Sequence, residues 1–534
     1  MKKMFYYNYH SLKKVHLDEW DENFFWPVKR ETTTQITLDF KAEQTRIINE
    51  LGYTFEGDCF LIGHLISAKY IEVLNHYACI DRLRSLDYSI HMDDKLRLIP
   101  LLLSEGSITF DYGNMWKLKA DLKTHLRNIR TCIPFNFKKG NYNIFQHFSE
   151  NKTHAYPSSN VLNREYTTHL KDWISIVSSG YYFDQVSIPG LSHETSNRFK
   201  DLAHYYTNFA ASYSEEKLNV KLPENIISAL RDFTFEYLCH ISEVYKTINE
   251  NVKKAKIRKL LTPTAGSPYV RTLSLSVRNN SGKVSGFPHG YYICHYSSPR
   301  PALHELATVD EFVAYTDPSR DLIIRNMQIN PVPRNNPVKI ISENTPFFKN
   351  LWEKWKSRKL PEKIKTVMLL ELNFEAEIAS YYVPHVMVSY NFYYNLCKFL
   401  SSEGYNVIFK RRPKDQSWEG FNIFADIPNV KIIYEHFEAP GVIEMADAVI
   451  VQYAMSSTMY WSMCTNKTVI YANAGWDPWF PEVYKSMEKR CRILNCSYDE
   501  RNRAVFDGQE LLDILSKKPE QPNTEFMERY LFPR

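Results

Sequence analysis

Three consecutive hydroxyl residues, Ser456, Ser457 and Thr458, stand between an apolar run and a stretch suited to a helix. The run Asp447-Ala448-Val449-Ile450-Val451-Gln452 reads as a buried strand, and residues 457–464 read as the helix. The first N–H groups of a helix have no intrahelical acceptor, and the helix dipole favours an anion there. A simple cap needs one hydroxyl; three at this place point to a phosphate site. Lys410-Arg411-Arg412-Pro413-Lys414 ends another apolar run. Lys410 and Arg412 could hold a diphosphate from there, or the segment could be an exposed basic loop. Glu435 follows a third run and could take ribose hydroxyls, as acids do in other doubly wound nucleotide sites; an ordinary polar loop fits equally well. Trp476 could stack on a base, although packing is the better reading.

The first half of the chain offers a different chemistry. Gly286-Phe287-Pro288-His289-Gly290 sets a histidine between residues that break helices, just after an apolar run. Such a histidine can act as a general base or a phosphate ligand. Glu305, Asp310, Glu311 and Asp317 are the nearest acids. Any of them could be a base or orient His289, and Asp310 is carried forward with His289 as the catalytic pair. The turn Thr262–Ser267 is similarly placed and could bind the acceptor or the leaving phosphate. No Walker loop, GxGxxG, GxSxG or HExxH occurs, and no metal or cofactor is indicated.

Positioning these groups takes two sets of alternating strands and helices. Short apolar runs at 366–372, 405–410, 430–434, 447–452 and 468–471, with a helix over 384–403 ending at Gly404, predict a parallel, doubly wound sheet. Runs at 257–261, 283–287 and 311–315, with a helix over 269–278, predict a second. Residues 41–255 read mostly as helices, with a polar loop near 135–165. The expected organisation is therefore α/β in two Rossmann-like lobes facing a cleft. Residues 1–325 form the acceptor-side lobe with a large helical elaboration. Residues 326–364 form a linker, rich in Pro and Asn over 326–345. Residues 365–515 form the nucleotide-binding lobe and 516–534 a tail.

Composition narrows the partners. The 534 residues are 44 % hydrophobic and 24 % charged, which suits a globular chain with sizeable cores. A net charge of +5 without a long basic tract argues against nucleic acid. The basic stretch Lys253–Lys259 could touch anionic lipid heads, though a solvated helix end explains it as well. Nine cysteines without CxxC spacing give no zinc or disulfide framework. The start, Met1-Lys2-Lys3-Met4-Phe5-Tyr6, lacks the apolar core of a signal peptide. The expected location is the cytoplasm, with peripheral contact at the inner face of the cytoplasmic membrane open.

This set of motifs resembles the GT-B glycosyltransferases of bacterial surface carbohydrate. It is nearest to the branch that uses CMP-activated acidic sugars, the sialyltransferase-like and Kdo-transferase-like enzymes. That branch holds the CMP phosphate with a His-Pro motif and a Ser-Ser/Thr motif. Ser456, Ser457 and Thr458 match the second motif. Arg412-Pro413 stands where His-Pro would be, and an arginine can bind phosphate but cannot protonate a leaving group near neutral pH. Pro288-His289-Gly290 resembles the His-Gly loop of capsule Kdo transferases and of CDP-glycerol polymerases, and Cys59–Arg82 resembles the helical start of transferases of similar length. The resemblance implies metal-independent transfer of a sugar from a nucleotide-sugar donor, CMP-linked by preference, to an oligosaccharide or lipid-linked glycan such as O-antigen or capsule. It leaves open a CDP-glycerol or CDP-ribitol phosphotransferase, a UDP- or GDP-sugar transferase, and a catalytically silent glycan-binding relative.

Overall fold

The computed structural model describes residues 3–7, 11–12, 15–91, 153–155, 174–176, 191–255, 257–262, 266, 268–288, 290–344, 346–371, 385–411, 422–437, 441–454 and 456–533. In chain order the strands are β1 Lys3–Tyr6, β2 Tyr88–His91, β3 Thr153–Ala155, β4 Ile174–Ile176, β5 Lys259–Thr262, β6 Lys283–Gly286, β7 Glu311–Ala314 and β8 Lys339–Ser342. They continue with β9 Thr366–Leu370, β10 Asn406–Lys410, β11 Val430–Ile433, β12 Ala448–Val451, β13 Thr468–Asn473, β14 Arg492–Tyr498 and β15 Ala504–Phe506. The chain is α/β, and its described residues form two large sheets and the small β1–β2 pair, all parallel except for the β14–β15 pair.

The chain divides into two compact units, and the division is not linear. One unit holds Met1–Leu38, Ile71–Leu103 and Pro346–Pro533; the other holds Asp39–Tyr70 and Ser104–Thr345. The sequence partition instead assigned everything before 326 to one lobe. No local signal marks an early segment as belonging to a distant domain, because that membership is made by tertiary contacts alone. Residues 516–534 also differ from a free tail. The helix Glu525–Tyr530 buries Phe526, Met527 and Tyr530, and Glu525 accepts from Lys489 Nζ at 2.6 Å.

The first unit is built on a seven-stranded sheet in the order β11-β10-β9-β12-β13-β14-β15, with β1 and β2 paired separately. Its central strands are apolar along their length. Val367, Met368 and Leu369 in β9 and Ala448 and Val449 in β12 are completely buried, as expected of parallel strands covered on both faces. The register sets Val451 opposite Leu370 on one side and Tyr471 on the other. The helix Val386–Ser402 links β9 to β10 and ends at Gly404, whose φ of +80° lies in the left-handed region.

The second unit is built on a six-stranded sheet in the order β4-β3-β5-β6-β7-β8. The long helices His193–Leu218 and Glu224–Ala255 and the shorter Phe55–Ile62 supply the helical elaboration read from the sequence. The linker expected at 326–364 is folded over its described length. Residues 317–329 are a helix, β8 joins the sheet beside β7, and Phe347–Trp355 is a helix of the other unit. Some of the Pro and Asn residues that suggested a linker serve tight turns, while Asn326 lies within the helix Asp317–Ile329. Pro333 opens a 3-10 turn, Arg334 and Asn335 take positive φ, and Asn336 donates to the Val309 carbonyl at 3.0 Å. Among the described residues no helix is long and apolar enough to cross a membrane.

Candidate functional site

The seven-stranded sheet reverses its winding direction between β9 and β12. From β9 the chain adds β10 and β11 on one side, then returns to place β12 and β13 on the other. Doubly wound sheets bind ligands at the carboxyl edge of such a reversal, in the crevice between the loops that follow the two strands. Adjacent strands lie about 4.8 Å apart. The end of β10 is thus roughly 10 Å from that of β12, and the end of β11 roughly 14 Å.

Ser456, Ser457 and Thr458 follow β12 at this point, and all three are half-buried. Ser456 is the N-cap of the helix Ser457–Met463, its Oγ accepting from the Thr458 amide at 3.3 Å and bonding the Thr458 hydroxyl. The capping role is thus real, and a seven-residue helix adds only a modest dipole. What the sequence reading missed lies just before. Gln452 is 2 % exposed, and neither its Nε2 nor its Oε1 has a hydrogen-bond partner. A buried amide in that state is destabilising, and buried polar groups are otherwise nearly always bonded. The only sequence signal was a carboxamide ending the apolar run Ala-Val-Ile-Val.

Two further residues hold the loops of this edge. Asp477 accepts from the Ala454 amide at 3.0 Å and from the Tyr471 hydroxyl. Burial, then the Asp477 carboxylate, hold the Tyr471 phenol well above its ordinary pKa, so it remains a donor. Arg30, from the early segment, donates to the carbonyls of Ala474 (3.3 Å) and Gly475. Trp476 is 4 % exposed and lies against Tyr498 with ring centroids 6.1 Å apart, so it packs rather than offering a face for stacking.

The basic segment after β10 is less available than its sequence suggests. Lys410 is buried and turns its Nζ to the Arg411 carbonyl. Arg411, also buried, pairs with Glu371 at the end of β9, Nε to Oε1 at 3.1 Å. Tyr390 donates to the same carboxylate oxygen at 2.9 Å. Burial opposes the Arg411 charge, but Glu371, Tyr390 and Tyr434 more than offset it and hold the guanidinium above its usual pKa. Arg412 lies outside the described residues. Glu435 is exposed and accepts from the Tyr434 amide at 3.0 Å; its own amide, then that of Tyr434, hold the carboxyl below the usual range. It sits beyond the edge strand β11, far from the crevice for a ribose ligand. His385 caps the helix Val386–Ser402 by accepting from the Met387 amide at 3.2 Å. Burial, then His76, keep its pKa well below 6.5, so the ring is neutral.

In the six-stranded unit His289 lies outside the described residues, and the structure separates Asp310 from its loop. Asp310 immediately precedes β7, at the amino edge of the sheet, whereas residues 287–290 follow β6 at the carboxyl edge. The register sets Asp310 level with Val284, three residues before Phe287, or about 10 Å along the strand. Asp310 is occupied there as well: it pairs with Arg278 Nε at 2.9 Å and accepts from the Val284 amide at 2.8 Å. It is therefore a brace for the ends of β6 and β7. Glu311 shares that edge. Asp317 lies at the carboxyl edge, opening a helix just past β7, where Arg320 Nη1 donates to it at 2.8 Å. Tyr291 packs at a tilt against Tyr315 with ring centroids 4.1 Å apart, which sets Tyr291, beyond β6, beside the end of β7. Among the described residues no group of three His, Cys, Asp or Glu could hold a metal ion.

No family model matches the sequence, and no curated protein is similar to it. Among solved structures the chain is similar to Phytolacca americana UGT2 complexed with UDP-2fluoro-glucose and pterostilbene. Identity is 10 %, the match covers 68 % of this chain and 88 % of that one, and the TM-score is 0.33. A likeness that slight decides neither fold nor activity.

Proposed function

We propose that the seven-stranded unit binds a nucleotide-activated sugar in the β9–β12 crevice, and that the chain is a glycosyltransferase. The observation that carries the binding site is Gln452, a buried amide with both polar atoms unpartnered, four residues before the half-buried Ser456–Thr458 turn at a winding reversal. A nucleobase edge would satisfy its donor and acceptor together. The hydroxyls and first-turn amides beyond it would take the phosphate. Stabilising charge on the leaving nucleotide in that way accelerates transfer without a metal.

The class of reaction rests on the resemblance of the Ser-Ser-Thr and His-Gly motifs to CMP-sugar transferases. On that reading the donor is a CMP-activated acidic sugar, and the acceptor is a growing surface glycan such as O-antigen or capsule. A base in the loop after β6, with Asp317 as the acid available on that edge, would deprotonate the acceptor hydroxyl.

The test is calorimetric titration of the full chain with CMP, UDP and GDP, repeated on a Ser456→Ala/Ser457→Ala variant. The reading expects CMP to bind best and the variant to lose most of that affinity. Absence of binding by all three nucleotides, or affinity untouched by the double substitution, would sink it.

A further inference from the structure

The helix Pro268–Asn279 ends, and β6 and β7 begin, around a cleft at the amino edge of the six-stranded sheet. Tyr53, Asp58, Arg278, Asn279, Asp310 and Arg334 are among its lining residues. It offers about 220 Å³, less than the roughly 300–1,000 Å³ of sites for drug-sized ligands. A single sugar ring fits that space and a nucleotide sugar does not.

The charges of the cleft cancel in pairs. Arg334 gives an Nη1 proton to Asp58 Oδ1 at 2.6 Å, and Arg278 pairs through Nε with Asp310 Oδ1 at 2.9 Å. The second oxygen of each acid is also taken. Tyr245 (2.7 Å) and Asn279 (3.1 Å) donate to Asp58 Oδ2, and the Val284 amide donates to Asp310 Oδ2. Arg278 Nη2 donates to the Asn336 side chain at 2.6 Å. Arg334 is different. Its side chain is 4 % exposed, and its Nε and Nη2 have no acceptor. Those two nitrogens share one edge of the guanidinium plane and offer two donors side by side. An arginine kept only to neutralise Asp58 would not leave that edge buried and unbonded. Gly57 makes room for it, since a Cβ there would come within 2.7 Å of Nη2. The Tyr53 ring lies 5.2 Å from the guanidinium carbon, and its hydroxyl donates to the Arg334 carbonyl at 3.1 Å. Tyr53 is nevertheless 69 % exposed, so much of its ring is open to a ligand.

The missing partner must accept two hydrogen bonds side by side. It need not bring negative charge, because Asp58 and Asp310 already neutralise the two arginines. An anion there would also lie beside both carboxylates. Adjacent hydroxyls of a sugar ring supply two acceptor oxygens without charge, and the C–H face of the ring can cover an aromatic side chain. We propose that this cleft binds one uncharged sugar residue, with adjacent hydroxyls on Arg334 Nε and Nη2 and a ring face against Tyr53. The loop that follows β6 leaves at the opposite edge of the sheet, so this sugar is not one that would react there. The proposal stands apart from the nucleotide site of the other unit.

The experiment is ligand-observed saturation-transfer NMR on the full chain with glucose, galactose and N-acetylglucosamine, and with glucuronate as the charged comparison. The expected result is transfer to at least one neutral sugar, stronger than to glucuronate. It should drop about fivefold in Arg334→Lys, which keeps the charge facing Asp58 and loses the paired edge. It should drop about threefold in Tyr53→Ala and persist in Ser456→Ala/Ser457→Ala. Melting curves check that each variant is folded; if Arg334→Lys is not, the exposed Tyr53 position decides alone. No transfer to any neutral sugar overturns the proposal, as does transfer strongest to glucuronate. So does transfer unchanged in Tyr53→Ala or in folded Arg334→Lys, or transfer lost with the serines, which would put the sugar at the nucleotide site.

Discussion

Gln452 offers a perturbation whose effects on stability and on binding should have opposite signs. With both polar atoms of a nearly buried amide unpartnered, the ligand-free fold bears a desolvation cost of about 1–3 kcal/mol. Gln452→Met keeps the length and approximate volume of the side chain and removes the polar atoms, and volume-conserving swaps are well tolerated. The variant should therefore gain about 1–2 kcal/mol in the absence of ligand, which raises the melting temperature by a few degrees in a unit of this size. A nucleobase that bonds both amide atoms would forfeit two neutral hydrogen bonds, about 1–3 kcal/mol together. CMP affinity should then fall roughly 5- to 150-fold. Melting curves with and without CMP read both effects on one sample, and calorimetry gives the affinity directly. If Gln452→Met is destabilising by more than about 1 kcal/mol while CMP binds as before, the amide has a structural role and the binding site has lost its main support.

The Arg411–Glu371 pair makes a second test. Arg411→Leu should cost about 3–5 kcal/mol in a urea titration, because it strands a buried carboxylate, and Arg411→Leu/Glu371→Leu should recover most of that. Lowering the pH should relieve the single variant, since a stranded acid takes up a proton more readily; losses that simply add would refute the coupling. Asp477→Ala removes the acceptor of the Ala454 amide and the Tyr471 hydroxyl. It should cost about 1.5–3 kcal/mol and weaken CMP binding without changing helical content by circular dichroism, and unchanged binding would deny it a positioning role. Lys41 gives a pH dependence. Its pKa of about 7 in the folded chain lies below that of a free lysine, so the unfolded chain binds more protons above that pH and stability rises as pH increases. Of the groups facing it, His64 and His304 stay neutral in this range, Arg300 stays charged, and Arg271, held down to about 9 by burial, adds the same sign only at higher pH. Between pH 7 and 8 the slope should flatten in Lys41→Met, as followed by melting temperature.

The parallel sheets were legible because buried parallel strands leave continuous apolar runs. The runs at 366–372, 405–410, 430–434, 447–452 and 468–471 became β9 to β13 with ends moved by a residue or two. Gly404 stopped its helix for the expected reason, a left-handed φ. β8 and β14 were missed because they are only half-buried, so their pattern mixes polar and apolar residues. Asp310 shows a different limit. Closeness in sequence to His289 suggested a pair, but a strand has two ends. A residue that enters one strand and a residue that leaves its parallel neighbour are kept at opposite edges of the sheet. That polarity is readable from sequence once β7 is placed, and it redirects attention from Asp310 to Asp317.

The Ser-Ser-Thr turn shows why motif and structure must be weighed together. Ser456 already accepts the Thr458 amide, so the ligand-free turn is satisfied by its own cap. A phosphate arriving there would replace that hydroxyl as acceptor and release it to donate to the phosphate. The count of hydrogen bonds would be preserved, so capping and phosphate binding are two states of one turn and the cap alone argues for neither. Gln452 has no such fallback within the chain. Its amide can be satisfied only by something that enters the crevice or by a rearrangement that reaches it, and for that reason it discriminates between the readings where the three hydroxyls cannot.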